Sequence, residues 1–510
     1  MSIAPRYKLP AAAGLLALAL AAGSILAREG PATVGGRHRT EAAAGSYTEQ
    51  ILAKGGDGRF RNYRIPALAN LGGGVLLAAY NGRPTMQDAP GPNSILLRRS
   101  LDGGRTWTGQ TVIARGREDP EEEEDIGYSD PSFVVDEETG WVYVFYVYSK
   151  DTGFSDSDYG NDDSDRDVMS AAVAVSKDRG LTWAQRLITK VVKPDGVRGT
   201  FATSGHGIQL RYGAYAGRLL QQYAGIFRTA TGRTQVKAYS VYSDDHGASW
   251  QMGTPVGTRM NENKAVELST GEVMLNSRMQ KAGGARYVAI SQDGGRTYGA
   301  VATDAVLIDP RNNAALVRMY PDAPQGSADA KKLLFSNAAS ADKRVNGTIR
   351  YSCDDGRTWP VARVFQPGRT SYSDMVALGG NRFALFYEGL HNELRFAIFD
   401  RDWLAPHCAA VSTAGTVIAA GDSGTVAIAV RNDDVTRLPA GTATVSLGGG
   451  LAASTVDVPD LAPGASATVD VAVTVPSDAD AGTYPGEVLI SAGNVTVRGP
   501  VTVTVRADAG

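Results

Sequence analysis

The segment Asp156-Ser157-Asp158-Tyr159-Gly160-Asn161-Asp162 alternates oxygen-bearing side chains in the manner of a calcium loop. It lacks the full spacing and the closing glutamate of an EF-hand. No histidine or cysteine cluster offers a zinc site, and His206, in Ser204-Gly205-His206-Gly207, reads as a turn residue rather than a ligand. No metal is therefore expected. The two cysteines, Cys353 and Cys408, are read as buried free thiols in preference to a disulfide, because a chain of this size needs no staple to hold its core. The acidic run from Glu118 to Asp125, around Pro120, reads as a solvated loop.

The carboxylates that recur in a fixed setting belong to one motif. Ser-x-Asp-x-Gly-x-Thr-Trp occurs at Ser100 to Trp107 and Ser176 to Trp183, with Ser for Thr at Ser243 to Trp250, with Tyr for Trp at Ser291 to Tyr298, and again at Ser352 to Trp359. Most copies follow a short β-type run such as Ser94 to Arg99 or Ala171 to Val175, so the motif belongs to a hairpin turn. Its Asp can accept backbone N–H bonds, its Gly supplies a left-handed position, and its aromatic residue can pack the hairpin onto its own sheet. That is a structural role.

The elements that would position any chemistry are strands. Val75 to Tyr80, Trp141 to Tyr148, Glu272 to Asn276, Lys332 to Ser336, Arg382 to Tyr387 and Leu394 to Phe399 all read as β, and no convincing amphipathic helix lies between residues 45 and 402. Motifs recurring at tens of residues signal a propeller, and blades of roughly 60 residues would number about six over this span. Residues 411–510 change character, with Val, Thr, Ala and Gly in short alternating runs and almost no aromatics. The expected fold is all-β: a six-bladed β-propeller over residues 45–405, then an immunoglobulin-like β-sandwich.

The five turns look like the Asp boxes of sialidases, and Phe60-Arg61-Asn62-Tyr63-Arg64-Ile65-Pro66 resembles that family's Arg-Ile-Pro motif. The chain thus resembles secreted bacterial sialidases, in particular actinobacterial ones. Sialic acid carries a carboxylate on its anomeric carbon, and planar guanidinium groups bind carboxylates bidentately. The resemblance implies three such groups, at Arg64, Arg278 and Arg344, with Arg350 a neighbouring rival for the third. A carboxylate nucleophile would be repelled by the substrate, which accounts for the family's tyrosine, matched here by Tyr372. Glu262, sixteen residues before Arg278, matches its partner base, with Glu267 as the rival. Asp88 resembles the loop general acid/base, Glu388 the carboxylate that orients Arg64, and Arg83 and Asp130 positions that face the sugar hydroxyls. Taken singly, each of these residues could be an ordinary surface charge or core aromatic. Their shared order along the chain favours the functional reading.

The resemblance implies an exo-α-sialidase acting with retention, without a cofactor, on sialylated glycoproteins, glycolipids or oligosaccharides. The alternatives are a trans-sialidase, a hydrolase of deaminated sialic acids, and a propeller that only binds sialoglycans. The sandwich lacks an aromatic row suited to sugars and reads as a spacer or interaction domain. A net charge of −3 gives no attraction to nucleic acid. Arg6 and Lys8, followed by an apolar run ending near Ala27, have the layout of a signal peptide over residues 1–27, with a membrane anchor as the competing reading. A secreted, extracellular monomer is expected.

Overall fold

The computed structural model describes residues 45–117, 125–280, 284–390, 393–434, 436–493 and 495–506. The signal-peptide segment and all but Asp125 of the acidic run Glu118 to Asp125 lie outside the described residues.

Six antiparallel sheets make the ring. In the first, Asn62–Asn70, Leu76–Arg83, Ser94–Ser100 and Thr111–Ala114 pair in sequence order. The next four sheets begin on Gly127–Asp136, Val197–Ala202, Met260–Glu267 and Ala315–Arg318 and repeat that plan. The sixth runs Ser373–Gly379, Arg382–Glu388, Leu394–Asp400, and takes its outer strand from the other end of the ring, Tyr47–Ala53, with Tyr47 opposite Phe399. Each Asp-box turn joins the third strand of a blade to the fourth. Since the sixth blade borrows its fourth strand, it has no such turn, which explains five boxes for six blades.

Strands read as near-continuous apolar runs because the blades pack face to face. Trp141–Ser149 (WVYVFYVYS) is buried almost throughout, with both faces covered. In the first box Ser100 Oγ donates to Asp102 and accepts from Gly104 N–H, while the Thr106 N–H and hydroxyl donate to the two carboxylate oxygens at 2.9 and 2.6 Å. The other four turns repeat this set around Asp178, Asp245, Asp293 and Asp354. The box aromatics act in two ways. Trp183 meets Phe133 and Trp359 meets Phe335 on their own sheets, at 6.5 and 5.8 Å, as expected. Trp107 meets Phe396 of the sixth blade edge-on at 4.9 Å, and Trp250 meets Phe145 of the second at 4.8 Å, so these two wedge neighbouring blades together.

The acidic segment near Asp156 is threaded by ammonium groups. Lys193 Nζ donates to Ser157 Oγ and the Asp158 carbonyl at 3.3 and 2.8 Å, and Lys150 Nζ to the Asp163 carbonyl and Ser170 Oγ at 2.9 and 3.1 Å. Asp162 accepts from Ser164. Among the described residues no helix is long and apolar enough to cross a membrane.

The C-terminal domain is a sandwich. One sheet orders Ala409–Thr413, Ser423–Asn432, Ser466–Thr474 and Ala452–Ala453; the other orders Thr416–Ala419, Val495–Arg506, Gly482–Ala492, Gly441–Leu447 and Thr455–Val458. Its core is aliphatic, from Val426, Ile428, Val471, Val488, Ile490 and Val503, as strict alternation along its strands requires.

Gly247, in the third box, has φ +75° and points where a Cβ would lie 2.4 Å from the buried Tyr143 ring. Gly247→Ala is expected to cost about 2–3 kcal/mol in urea unfolding.

Candidate active site

The N-terminal ends of the inner strands, together with the loops between second and third strands, converge on one face of the ring. Arg64 enters from the first blade, Asp130 from the second, Glu262 and Arg278 from the fourth, Arg344 from the fifth, Tyr372 and Glu388 from the sixth. These seven of the nine sequence candidates come together, and Asp88 overhangs them from the loop after Leu76–Arg83, with Arg83 beneath it.

Tyr372 is the hub. Its hydroxyl donates to Glu262 Oε2 at 2.7 Å and accepts from Arg278 Nη1 at 3.1 Å, while that guanidinium lies 2.7 Å from the same carboxylate oxygen. The Arg64 and Arg344 guanidiniums flank the phenol ring at 5.3 and 5.0 Å. Burial and Glu262 push the Tyr372 phenol up, the three arginines pull it down, and it stands at about 12. A free phenolate is thus absent at neutral pH, and any attack by this oxygen must hand its proton to Glu262 as it proceeds. Glu262 and Tyr372 are themselves buried.

Each guanidinium is tied down from behind. Glu388 holds Arg64 through Nε and Nη2 at 3.2 and 3.3 Å and also accepts from Ile65 N–H at 2.8 Å. That second bond matters because Ile65 has φ +62°, a left-handed conformation a β-branched residue rarely adopts. One carboxylate therefore fixes both the side chain and the bulge that aims it. Burial works to raise Glu388, yet Arg64 and the Ile65 N–H keep its carboxyl below the usual range. Arg278 Nε donates to Asn261 Oδ1, and the Arg311 carbonyl accepts from both Arg278 and Arg344 at 2.9 and 3.0 Å. Asn261 and Arg311 were not singled out from sequence, since no chemistry-bearing type or spacing marks them.

Asp88 keeps a largely exposed side chain (74%) and accepts from Arg83 Nη1 at 2.5 Å, with Arg64 at 3.6 Å. Burial works to raise it, but Arg83 and Arg64 outweigh that and hold the carboxyl below its ordinary value. Arg83 differs from the expectation that it faces the sugar. It has no exposed surface, and its head reaches Asp88, the Gln87 carbonyl and Asn81. It braces Asp88 from beneath because the second strand turns it into the blade. Asp130 adopts φ +61° and lies in the field of Glu262 and Asp88; burial first, then those two charges, raise its carboxyl to about 7.

The rivals sit elsewhere. Glu267 lies at the far end of the strand that carries Glu262, held by Arg318 at 3.3 Å and by the Arg211 and Tyr212 N–H groups. Arg350 is buried beneath the sandwich, in the field of Arg498 and Glu487. His206 is also more than a turn residue. It pairs with Ser132–Phe133 in a short parallel strand, and its Nδ1 lies 2.6 Å from Asp374 Oδ1. Asp374 and Lys264 follow Tyr372 and Glu262 by two positions, so strand periodicity sets a charged layer below the reactive one. Lys264 Nζ donates to the Ser204 carbonyl there, and burial lowers it to about 8.

Alongside Arg64 and Arg344, a cleft of about 230 Å³ opens between Tyr63, Met86, Ser371 and Glu388. The face as a whole, with its clustered guanidiniums, buried phenol–carboxylate pair beside that cleft and exposed carboxyl at its edge, is equipped to bind an anion and cleave beside it.

Comparison with known proteins agrees with that geometry. Residues 74–385 match the BNR repeat-like domain, and residues 418–507 the NPCBM-associated NEW3 domain of alpha-galactosidase. The chain is 48% identical over 505 residues to a sialidase of Micromonospora viridifaciens, covering 96% of this chain and 75% of that protein. This chain belongs to the sialidase family. A sialidase of Bacteroides fragilis is 29% identical over 60% of this chain and 55% of its own length. Among solved structures, the Hadza microbial sialidase Hz136 aligns with a TM-score of 0.61 at 27% identity, over 68% of this chain and 67% of that one. Sialidases are glycoside hydrolases, and the all-β propeller with its NEW3 sandwich is the fold of this family member.

A raised carboxyl favours the folded state only while protonated, so the Asp130 contribution is full below pH 3.8 and is lost as pH rises towards about 7. From pH 4 to pH 8 the stability of Asp130→Asn relative to wild type is expected to improve by on the order of 2 kcal/mol in denaturant titrations.

Proposed function

We propose that the chain is a secreted exo-α-sialidase that releases terminal sialic acids from glycoproteins, glycolipids or oligosaccharides with retention, through a covalent intermediate on Tyr372. The observation that carries the mechanism is the Tyr372 hydroxyl held between Glu262 and Arg278 within a ring of guanidiniums. The basic and apolar segment before residue 28 supports export.

Arg64, Arg278 and Arg344 clamp the substrate carboxylate and so set the anomeric carbon against Tyr372. In the first displacement the phenol oxygen bonds to that carbon, its proton passes to Glu262, and the glycosidic C–O bond breaks as Asp88 protonates the departing oxygen. In the second, Asp88 takes a proton from water, the resulting oxygen attacks the same carbon, and the phenol leaves and recovers its proton from Glu262. Two inversions give net retention. Arg83 steadies Asp88 and Glu388 steadies Arg64, so that neither must reorganise during the reaction.

Asp88 is ionised in the free site, whereas the first step needs it protonated. The incoming substrate carboxylate resolves this conflict: it neutralises Arg64 and Arg344, two of the three cations that depress Asp88, and it excludes water from an otherwise exposed group. Both changes raise the carboxyl.

Fluorophore release from an aryl α-sialoside by purified protein tests the reading, with sialyllactose as a second substrate. Tyr372→Phe is expected to lower kcat at least ~10²-fold on either substrate. Asp88→Ala should lose ~10²–10⁴-fold on sialyllactose but much less on the aryl glycoside, whose leaving group departs without a proton. Absence of turnover by wild type on both substrates would overturn the assignment. Proton NMR of the fresh product should show the α-anomer first.

A further inference from the structure

The chain's only two cysteines come from distant parts of the sequence. Cys353 is the second residue of the fifth Asp-box turn, and Cys408 precedes Ala409–Thr413, the first strand of the sandwich. The fold brings their side chains together on one hydrophobic cluster, near enough for each thiol to perturb the other. The Tyr351 hydroxyl lies 3.3 Å from Cys408 Sγ, and both sulfurs pack, half-buried, on the hydrophobic cluster shared by the fifth and sixth blades. The Cys408 backbone is anchored as well: its N–H donates to Asp434 at 3.1 Å and its carbonyl accepts from Asp433 N–H at 2.8 Å. Both residues are free thiols in this structure.

We propose that Cys353 and Cys408 form an intramolecular disulfide that staples the exit of the propeller to its fifth blade. Packing alone gives no reason for the only two sulfhydryls of a long chain to meet at the junction between two domains. The position has a mechanical consequence. The sixth blade is the seam of the ring, where Tyr47–Ala53 pairs with Leu394–Asp400 through non-covalent contacts. The segment between the cysteines contains three strands of that blade together with Tyr372 and Glu388. A covalent bridge encloses this segment in a loop and restricts how far the seam can open in the unfolded chain.

The bond forms by thiol–disulfide exchange. The Tyr351 hydroxyl, 3.3 Å from Cys408 Sγ, can donate to a thiolate there, so Cys408 is placed to attack first. Its sulfur bonds to one sulfur of an external disulfide and expels the other as a thiol. The Cys353 thiolate then attacks the mixed disulfide at Cys408 and releases the second thiol, each cysteine having given up one proton. The external disulfide is reduced to two thiols and the cysteine pair is oxidised. The inference rests on the export reading only for the oxidising surroundings in which such disulfides occur.

Full-length protein, first reduced and then incubated with oxidised glutathione, tests the bridge by intact mass after alkylation with iodoacetamide. The expected species is lighter than the reduced chain by two hydrogens, takes up no alkyl group, and yields on digestion a linked peptide pair containing Cys353 and Cys408. Two alkylated cysteines, glutathione on either sulfur, or a disulfide-linked dimer would overturn the proposal. The melting temperature gives an independent readout. Oxidation should raise it by ~3 °C in wild type and leave Cys408→Ser unchanged; equal wild-type values in both redox states would contradict the stapling role. Sialoside hydrolysis, measured in parallel, reports on the site alone, so loss of the catalytic reading would leave the cross-link result standing.

Discussion

Three guanidinium groups held around one tyrosine ring repel each other, and the rest of the structure is arranged to keep them there. Unpaired, such charges could not stay half-buried so close together. Each therefore has a fixed acceptor behind it: Glu388 for Arg64, Glu262 and Asn261 for Arg278, and the Arg311 carbonyl for both Arg278 and Arg344. These partners come from separate blades, so their geometry is only as good as the ring. The Asp-box turns and their wedged aromatics lock one blade to the next, and Tyr47–Ala53 closes the circle.

The same charge cluster dictates the chemistry. A site built to hold a carboxylate beside the scissile bond suits a neutral nucleophile better than an anionic one, and a buried phenol answers that need only if a base is already in contact. Glu262 touches both the phenol and Arg278, so in the proposed mechanism binding the substrate and activating the nucleophile depend on one carboxylate. Asp88 stands at the rim beside Arg83 and Arg64, and in the proposed mechanism the substrate's own charge sets whether it carries a proton. Burial, and then the charges of Glu262 and Asp88, raise the Asp130 carboxyl to about 7.

Much of this was legible in the sequence. Strand runs such as Trp141 to Tyr148 and the spacing of five Asp boxes pointed to a six-bladed ring, and the order of Arg64, Asp88, Glu262, Arg278, Arg344 and Tyr372 marked residues that the fold gathers on one face. What escaped notice depends on contacts between blades. Arg83 could not be told from a sugar-facing arginine, because its burial is set by the loop that folds over it. His206 reads as a turn residue from sequence because its partner Asp374 lies far along the chain, in the sixth blade. Glu262 and Glu267 were separable only by spacing, and the fold then places them towards opposite ends of the strand Met260–Glu267. The approach of Cys353 to Cys408 follows from how the sandwich docks, which no local pattern records.

The central claim is that Tyr372 bonds to the anomeric carbon. A sialosyl fluoride with a second fluorine at C3 tests it directly, since the C3 fluorine slows both steps while the fluoride leaving group preserves the first. Protein quenched with this reagent should carry the sugar's mass on the peptide containing Tyr372, and Tyr372→Phe should carry none. A sugar adduct on Glu262 or Asp88, or continued turnover of the reagent with no adduct at any time, would contradict the account.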